Sequence, residues 1–110
     1  MAGTEKLHLS NKWRVEVSEG AHSSGVIRFR VTPDGEPAIE IPVEIRDDRG
    51  ENGVARDIRD KLRTVLDRKR FKVEVDDGED VLVKKRKGPN FELRMIESTV
   101  KSVRINVEKE

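Results

Sequence analysis

The chain has 110 residues, of which 34% are hydrophobic and 41% are charged, so we expect one domain with a modest core and a heavily charged surface. Its 23 basic and 22 acidic side chains leave a formal net charge of +1. This balance argues against a non-specific nucleic-acid binder, because such proteins usually carry a clear basic excess. Cysteine is absent, which excludes disulfides, thiolate nucleophiles and cysteine-based zinc sites.

The N-terminal residues and the hydrophobic runs indicate a soluble protein. No apolar run approaches the ~20 residues of a membrane span, and Met1 to Ser10 lacks the apolar core of a signal peptide. We therefore expect no membrane contact and a location in the cytoplasm or in a virion. Residues 1–12 are mostly polar, and we predict a flexible N-terminal arm there, followed by a single domain over residues 13–110.

Three strands are predicted before residue 46. Trp13 to Val17 alternates apolar and charged residues, which is typical of a half-buried strand. Residues 27–45 predict a hairpin that turns at Asp34-Gly35. This register puts Arg30 opposite Glu40 on the outer face and pairs the apolar residues as Val31 with Ile39, Phe29 with Ile41 and Ile27 with Val43. Pro42 cannot donate a ladder hydrogen bond, so we predict an edge position or a bulge there.

One amphipathic helix is predicted from Asn52 to Lys69. Its apolar side chains recur at helical spacing and form one stripe, made of Val54, Ile58, Leu62, Val65 and Leu66. Asn52 is the predicted N-cap, and the basic residues at the other end suit the negative end of the helix dipole. The opposite face mixes both charges, so we interpret this helix as a structural element.

Four strands are predicted after the helix, at residues 71–76, 81–84, 91–95 and 103–107. Asp77-Gly78-Glu79 is predicted to turn the first pair, and Lys84 to Asn90 to close the next hairpin. Only the helix supplies a long crossover, so the strands should pair mostly antiparallel. The predicted fold class is α+β, with a single amphipathic helix packed on mostly antiparallel sheet in the order β-β-β-α-β-β-β-β. We expect the first three and the last four strands to form its layers.

The sharpest local charge is the run Lys84-Lys85-Arg86-Lys87. These four residues are the candidate contacts for a nucleic acid or a protein partner, perhaps the phosphates of a nucleic-acid backbone. Neighbouring basic residues that could assist are Arg68, Lys69, Arg70 and Lys72. The alternative is a solvated strand end, where Lys is common. The three Phe residues are predicted to face inward, so they do not provide a stacking platform for bases.

Acidic loops and a few polar residues are the remaining candidates for chemistry. Asp47 to Glu51 and Asp76 to Asp80 contain oxygens that a hard cation prefers, but their spacing differs from that of the twelve-residue calcium loop. Asp and Gly are also ordinary turn residues. No activating partner is evident for the acid-base and nucleophile candidates, which are His8, His22, Ser23 and Ser24. We predict no enzyme, no catalytic residue, no cofactor and no metal.

Part of the chain resembles a known group of domains. Gly53 to Leu62 resembles the helix of structural domains in bacteriophage tail proteins and in flagellin or hook-associated inserts. In those domains the helix precedes a strand, an acidic Gly turn, a second strand and a Gly-x-x-Phe-x-Leu strand, and the matching segments here are residues 71–76, 77–79, 81–84 and 88–93. The resemblance covers roughly residues 39–107 and carries over no functional residue.

This resemblance implies a non-enzymatic structural or protein-interaction module, encoded by a phage or prophage, that binds a protein partner or associates with itself. The alternative function is a nucleic-acid-binding protein that uses Lys84 to Lys87.

Overall fold

The alternating segments form seven strands and the amphipathic segment forms one helix in the computed structural model, which describes residues 7–110. The elements in chain order are β1 (Lys12–Glu19), β2 (Gly25–Pro33), β3 (Ile39–Ile45), α1 (Glu51–Val65), β4 (Phe71–Asp76), β5 (Asp80–Lys85), β6 (Phe91–Ser98) and β7 (Arg104–Lys109). Every strand pair is antiparallel. The element order and this pairing confirm the predicted α+β fold.

The strands form two sheets, with the orders β4-β5-β1-β7 and β3-β2-β6. The predicted division into three N-terminal and four C-terminal strands was therefore wrong, because β1 and β6 exchange sheets. The hairpins β2–β3 and β4–β5 each leave one side of β2 and of β5 free for hydrogen bonding. β6 fills the free side of β2, and β1 fills the free side of β5.

The predicted β2–β3 register is confirmed residue by residue, from Ile27 opposite Val43 to Val31 opposite Ile39. Gly35 has a φ of +77° in the connecting turn, a backbone conformation that favours glycine. Arg30 Nε lies 2.6 Å from Glu40 Oε2 across the outer face. Pro42 lies on the edge strand β3, as predicted.

The helix is shorter at its C-terminal end than the sequence predicted. Gly50 precedes its first residue and no side chain caps it, so Asn52 is not the N-cap. At the other end Asp67 accepts backbone hydrogen bonds from Arg70 and Phe71, and the chain turns instead of continuing as a helix. Leu66 is nevertheless buried. Val65, which the pattern assigned to the apolar stripe, is 38% exposed.

Helix α1 packs on strands of both sheets, namely β3, β4, β1 and β5. It therefore covers the opening between the edge strands β3 and β4. Its buried side chains Val54, Ile58 and Leu62 join one continuous hydrophobic core with the inner faces of the strands. The other two edge strands, β6 and β7, approach each other on the opposite side of this core.

The arm predicted for residues 1–12 meets both sheets before β1 begins. Ser10 exchanges both backbone hydrogen bonds with Phe91 of β6, and the Asn11 carbonyl accepts one from Lys85 of β5. Residues 1–6 of the predicted arm lie outside the described residues.

Candidate functional site

A groove lies between the edge strands β6 and β7, and we call it the β6–β7 groove. Its apolar lining comes from both sheets and consists of Trp13, Leu93, Met95, Ile105 and Val107. Charged and polar residues complete the lining, namely His8, Glu92, Arg94 and Lys109. The groove has a volume of about 440 Å³. Met95 is 37% exposed, which is unusual for a large apolar side chain that points towards a core.

The strand edges on both sides of this groove are open. β6 pairs with β2 and β7 pairs with β1, and neither has a strand partner on its outer side within the described part of the chain. Unpaired N–H and C=O groups on such an edge can hydrogen-bond an added strand. The groove therefore combines open backbone edges with an apolar floor.

The other two sheet edges are protected. β3 contains Pro42, which has no backbone N–H to offer an incoming strand. At the edge of β4 the Nε of Arg63 donates a 2.8 Å hydrogen bond to the carbonyl of Val73. Helix α1 lies beside both of these edges. The two open edges are consequently also the two that face each other.

The N-terminal end of β6 is tightly bonded to the neighbouring chain. The Phe91 carbonyl accepts hydrogen bonds from the Ser10 N–H and from the Trp13 indole N–H, each at 2.9 Å. Trp13 is 5% exposed, so its polar atom is satisfied inside the core. Glu92 is also buried, and its Oε2 accepts a 3.0 Å hydrogen bond from the His8 backbone N–H. These bonds anchor one end of the groove.

The basic run Lys84 to Lys87 is not part of a hairpin, which corrects the sequence prediction. It connects β5 of one sheet to β6 of the other, because both sides of β5 are already paired with β4 and β1. Lys84 Nζ lies 3.1 Å from Glu74 Oε2, and this hydrogen bond lowers the pKa of Glu74 below its ordinary value. Lys85 is half-buried, whereas Arg86 and Lys87 are exposed.

A second groove brings part of this run together with the end of α1. Its basic side chains are Arg63, Arg68, Lys72 and Arg86, and we call it the basic groove. It has a volume of about 610 Å³, and the carboxylate of Glu74 also lies in its lining. Of the assisting residues named from the sequence, Arg68 and Lys72 line this groove. Arg63 was not predicted, although its position in the last turn of α1 is a signal that could have identified it.

Arg70 serves the fold. Its two Nη atoms bond the two carboxylate oxygens of Glu36 at 3.0 and 2.9 Å, and this pairing raises the pKa of Arg70. The guanidinium also lies 5.7 Å from the centre of the Phe71 ring. The aromatic rings Trp13, Phe29, Phe71 and Phe91 are all buried, so none of them presents a face on which a base could stack.

The two acidic loops meet through one pair of carboxyl groups. A hydrogen bond with Glu51 raises the pKa of Glu79 above its ordinary value, and the Glu51 and Asp77 charges act in the same direction. Asp77 and Gly78 both adopt positive φ, at 53° and 77°, in the turn between β4 and β5. Within residues 7–110, no three His, Asp or Glu side chains are grouped so that they could hold a metal ion.

Arg14 organises the ends of the acidic turn. It lies on β1 and bonds Asp80, Asp76 and Glu110. Hydrogen bonds with Glu110 and Asp80 raise the pKa of Arg14, and the bond from Arg14 lowers the pKa of Glu110. Asp76 and Asp80 therefore act as partners of an arginine on the outer face of the four-stranded sheet.

The predicted acid-base and nucleophile candidates are dispersed. Ser23 Oγ accepts a hydrogen bond from the Lys101 N–H at 2.9 Å, and Ser24 Oγ accepts one from the Asp47 N–H at 3.1 Å. His22 is exposed in the same loop, whereas His8 lies beside β6 at the other groove. The two hydroxyls hold loops in place.

No protein-family model, curated protein or solved structure matches the chain. Within the described residues, no helix has the length and the apolar character needed to cross a membrane.

Proposed function

We propose that this protein is a non-enzymatic structural module that binds other protein chains by strand addition at the β6–β7 groove. The single observation that carries the proposal is the adjacency of two open strand edges over an apolar groove, while both remaining edges are protected. Strand addition draws its affinity from main-chain hydrogen bonds and its specificity from pockets for alternate side chains. The groove supplies both elements.

The apolar lining favours a protein strand as the occupant. An incoming strand that pairs with β7 would direct every second side chain towards Met95, Leu93 and Val107. The groove volume of about 440 Å³ accommodates a few apolar side chains. Arg94 and Lys109 at its margin favour a partner with acidic residues beside its apolar ones.

The absence of enzymatic activity is part of the proposal. It rests on the Ser23 and Ser24 hydroxyls, which accept loop hydrogen bonds, and on the separation of His8 from His22. A phage or prophage origin is proposed on the resemblance across residues 39–107. Tail and hook assemblies are built from modules that dock through their edges, and this use fits a domain with a grooved strand edge.

The test uses the purified products of genes that neighbour its own, with binding measured by isothermal titration calorimetry. Met95→Asp places a charge in the groove and should weaken binding at least roughly tenfold, since a buried apolar contact at an interface centre contributes about 1.4 kcal/mol or more. Ile96→Asp is the matched control, because Ile96 is equally exposed at 38% but does not line the groove. Equal losses in the two variants, or no binding by any neighbouring product, would contradict the proposal.

A nucleic-acid-binding function is the second candidate, and the basic groove is the observation that favours it. Arg63, Arg68, Lys72 and Arg86 converge from α1, β4 and the β5–β6 connection. Of the predicted contacts, Arg86 and Lys87 are exposed enough to reach a phosphate, whereas Lys84 is already paired with Glu74.

A salt titration against mixed-sequence DNA and RNA separates the two functions. Phosphate binding should weaken steeply with salt, with a slope of roughly −0.9 per phosphate contact in duplex DNA. Arg86→Glu should reduce this binding, and Lys101→Glu, on an exposed loop residue, should leave it unchanged. No binding to either polymer at low salt would eliminate this candidate.

A further inference from the structure

The free edge of β7 has a defined set of backbone groups. The Glu110 N–H donates to the Lys12 carbonyl at 3.0 Å, so the amide at position 110 points towards β1. Successive residues of a strand point their backbone groups to opposite sides. The N–H and C=O groups of Ile105, Val107 and Lys109 therefore point away from β1 and into the open edge.

We propose that β7 pairs antiparallel with β7 of a second copy of this chain, about a two-fold axis that passes beside Asn106. This proposal rests on the proposed function, since it names the strand that occupies the open edge. In this register Ile105 lies opposite the partner's Val107, and both residues carry free backbone groups that can bond each other. The two four-stranded sheets then join into one continuous sheet of eight strands.

Charge complementarity selects this register. It places Arg104 opposite the partner's Glu108, and the two-fold axis repeats this pair, so two oppositely charged contacts form. Arg104 is 76% exposed and uses its Nε to bond Glu19 at 3.2 Å, which leaves its outer guanidinium nitrogens available. Glu108 has no ion-pair partner among residues 7–110. Opposite charges directly across a strand pair stabilise the pairing.

Shifting the axis by one residue removes this complementarity. An axis at Ile105 places Arg104 opposite the partner's Asn106. An axis at Val107 places Arg104 opposite the partner's Glu110, which already bonds Arg14 and Lys12. Only the axis at Asn106 uses the carboxylate of Glu108.

The inner face supports the same register. Ile105 and Val107 are half-buried and line the β6–β7 groove. Across the axis each lies beside the other residue of the partner, so the pairing adds apolar contacts on the face that is now partly exposed. The outer face carries the polar series Arg104, Asn106 and Glu108, so the two faces of the added pair match in character.

The decisive experiment measures the molar mass of the full chain by sedimentation equilibrium over a wide concentration range. The wild type should form a dimer. Arg104→Glu and Glu108→Arg each set like charges opposite one another twice, so each should weaken the dimer by roughly tenfold or more. An equimolar mixture of these two variants should restore association, because one strand is then acidic and the other basic. Glu44→Arg, an equal charge reversal on the protected edge strand β3, is the control and should leave the dimer unchanged.

The register has its own readout. In a dimer of one isotope-labelled and one unlabelled copy, NOEs should connect Ile105 to the partner's Val107. A wild type that stays monomeric at every concentration overturns the self-pairing, as does a dimer that both charge reversals leave intact. Failure of this kind differs from failure of the proposed function, which is decided by whether Met95→Asp abolishes binding of another protein.

Discussion

Replacing Leu62 by Ala should lower the free energy of unfolding by about 3–4 kcal/mol. Leu62 is fully buried in the face of α1 that contacts both sheets. The substitution removes three carbon atoms, worth about 0.8 kcal/mol each in lost transfer free energy. The remainder comes from the cavity, because the surrounding strands belong to two hydrogen-bonded sheets and can collapse only partly.

Val65→Ala is the matched control for this experiment. The sequence pattern placed Val65 and Leu66 beside Leu62 in one apolar stripe, but Val65 is 38% exposed at the end of α1. Its loss of contact should cost less than about 1 kcal/mol, and the better helix propensity of Ala offsets part of that cost.

Urea unfolding followed by circular dichroism at constant pH measures both variants. A chain of this size should show a slope of roughly 1–2 kcal/mol per molar urea, so the midpoint of Leu62→Ala should fall by about 2 M with the slope unchanged. The placement of α1 between the two sheets would be refuted by equal midpoints for the two variants.

Three further predictions follow from charged and buried groups. Glu79→Gln should stabilise the protein at neutral pH, because the raised pKa of Glu79 beside Glu51 means that its ionised form is disfavoured in the folded state. This gain should shrink as the pH falls through the ordinary carboxyl range, and a gain that grows on acidification would contradict the pairing. Glu110→Gln should show the opposite sign, since Arg14 lowers the pKa of Glu110: a loss at neutral pH that disappears below that lowered pKa. Trp13→Phe should cost about 1–2 kcal/mol in urea unfolding, because it removes the indole hydrogen bond and leaves a small cavity, and an unchanged midpoint would show that the indole bond contributes nothing.

Local patterns predicted the parts of the fold that depend on near neighbours. The β2–β3 register followed from the alternation of apolar residues about Asp34-Gly35, because a one-residue slip would have exposed Phe29. The β4–β5 turn followed from Asp77-Gly78, since both positions adopt positive φ.

The candidate sites were only partly visible in the sequence. The run Lys84 to Lys87 is a local feature and was found, but its separation from any hairpin depends on β1, which is distant in the chain. Arg63 was missed, because its value to the basic groove arises only when β4 folds back beside α1. The β6–β7 groove was missed for the same reason, since Trp13, Met95 and Ile105 come from three separate segments.

The sequence by itself determined the type and order of the elements, their buried faces and the two local hairpins, because side-chain periodicity and turn chemistry act over a few residues. Only the tertiary structure decided that β1 and β6 exchange sheets, and therefore which edges stay open. A period of two identifies a strand and its inward face, but it does not specify the strand beside it. That choice depends on which backbone groups remain unpaired once the hairpins have formed, and in this protein it leaves β6 and β7 facing each other across an apolar groove.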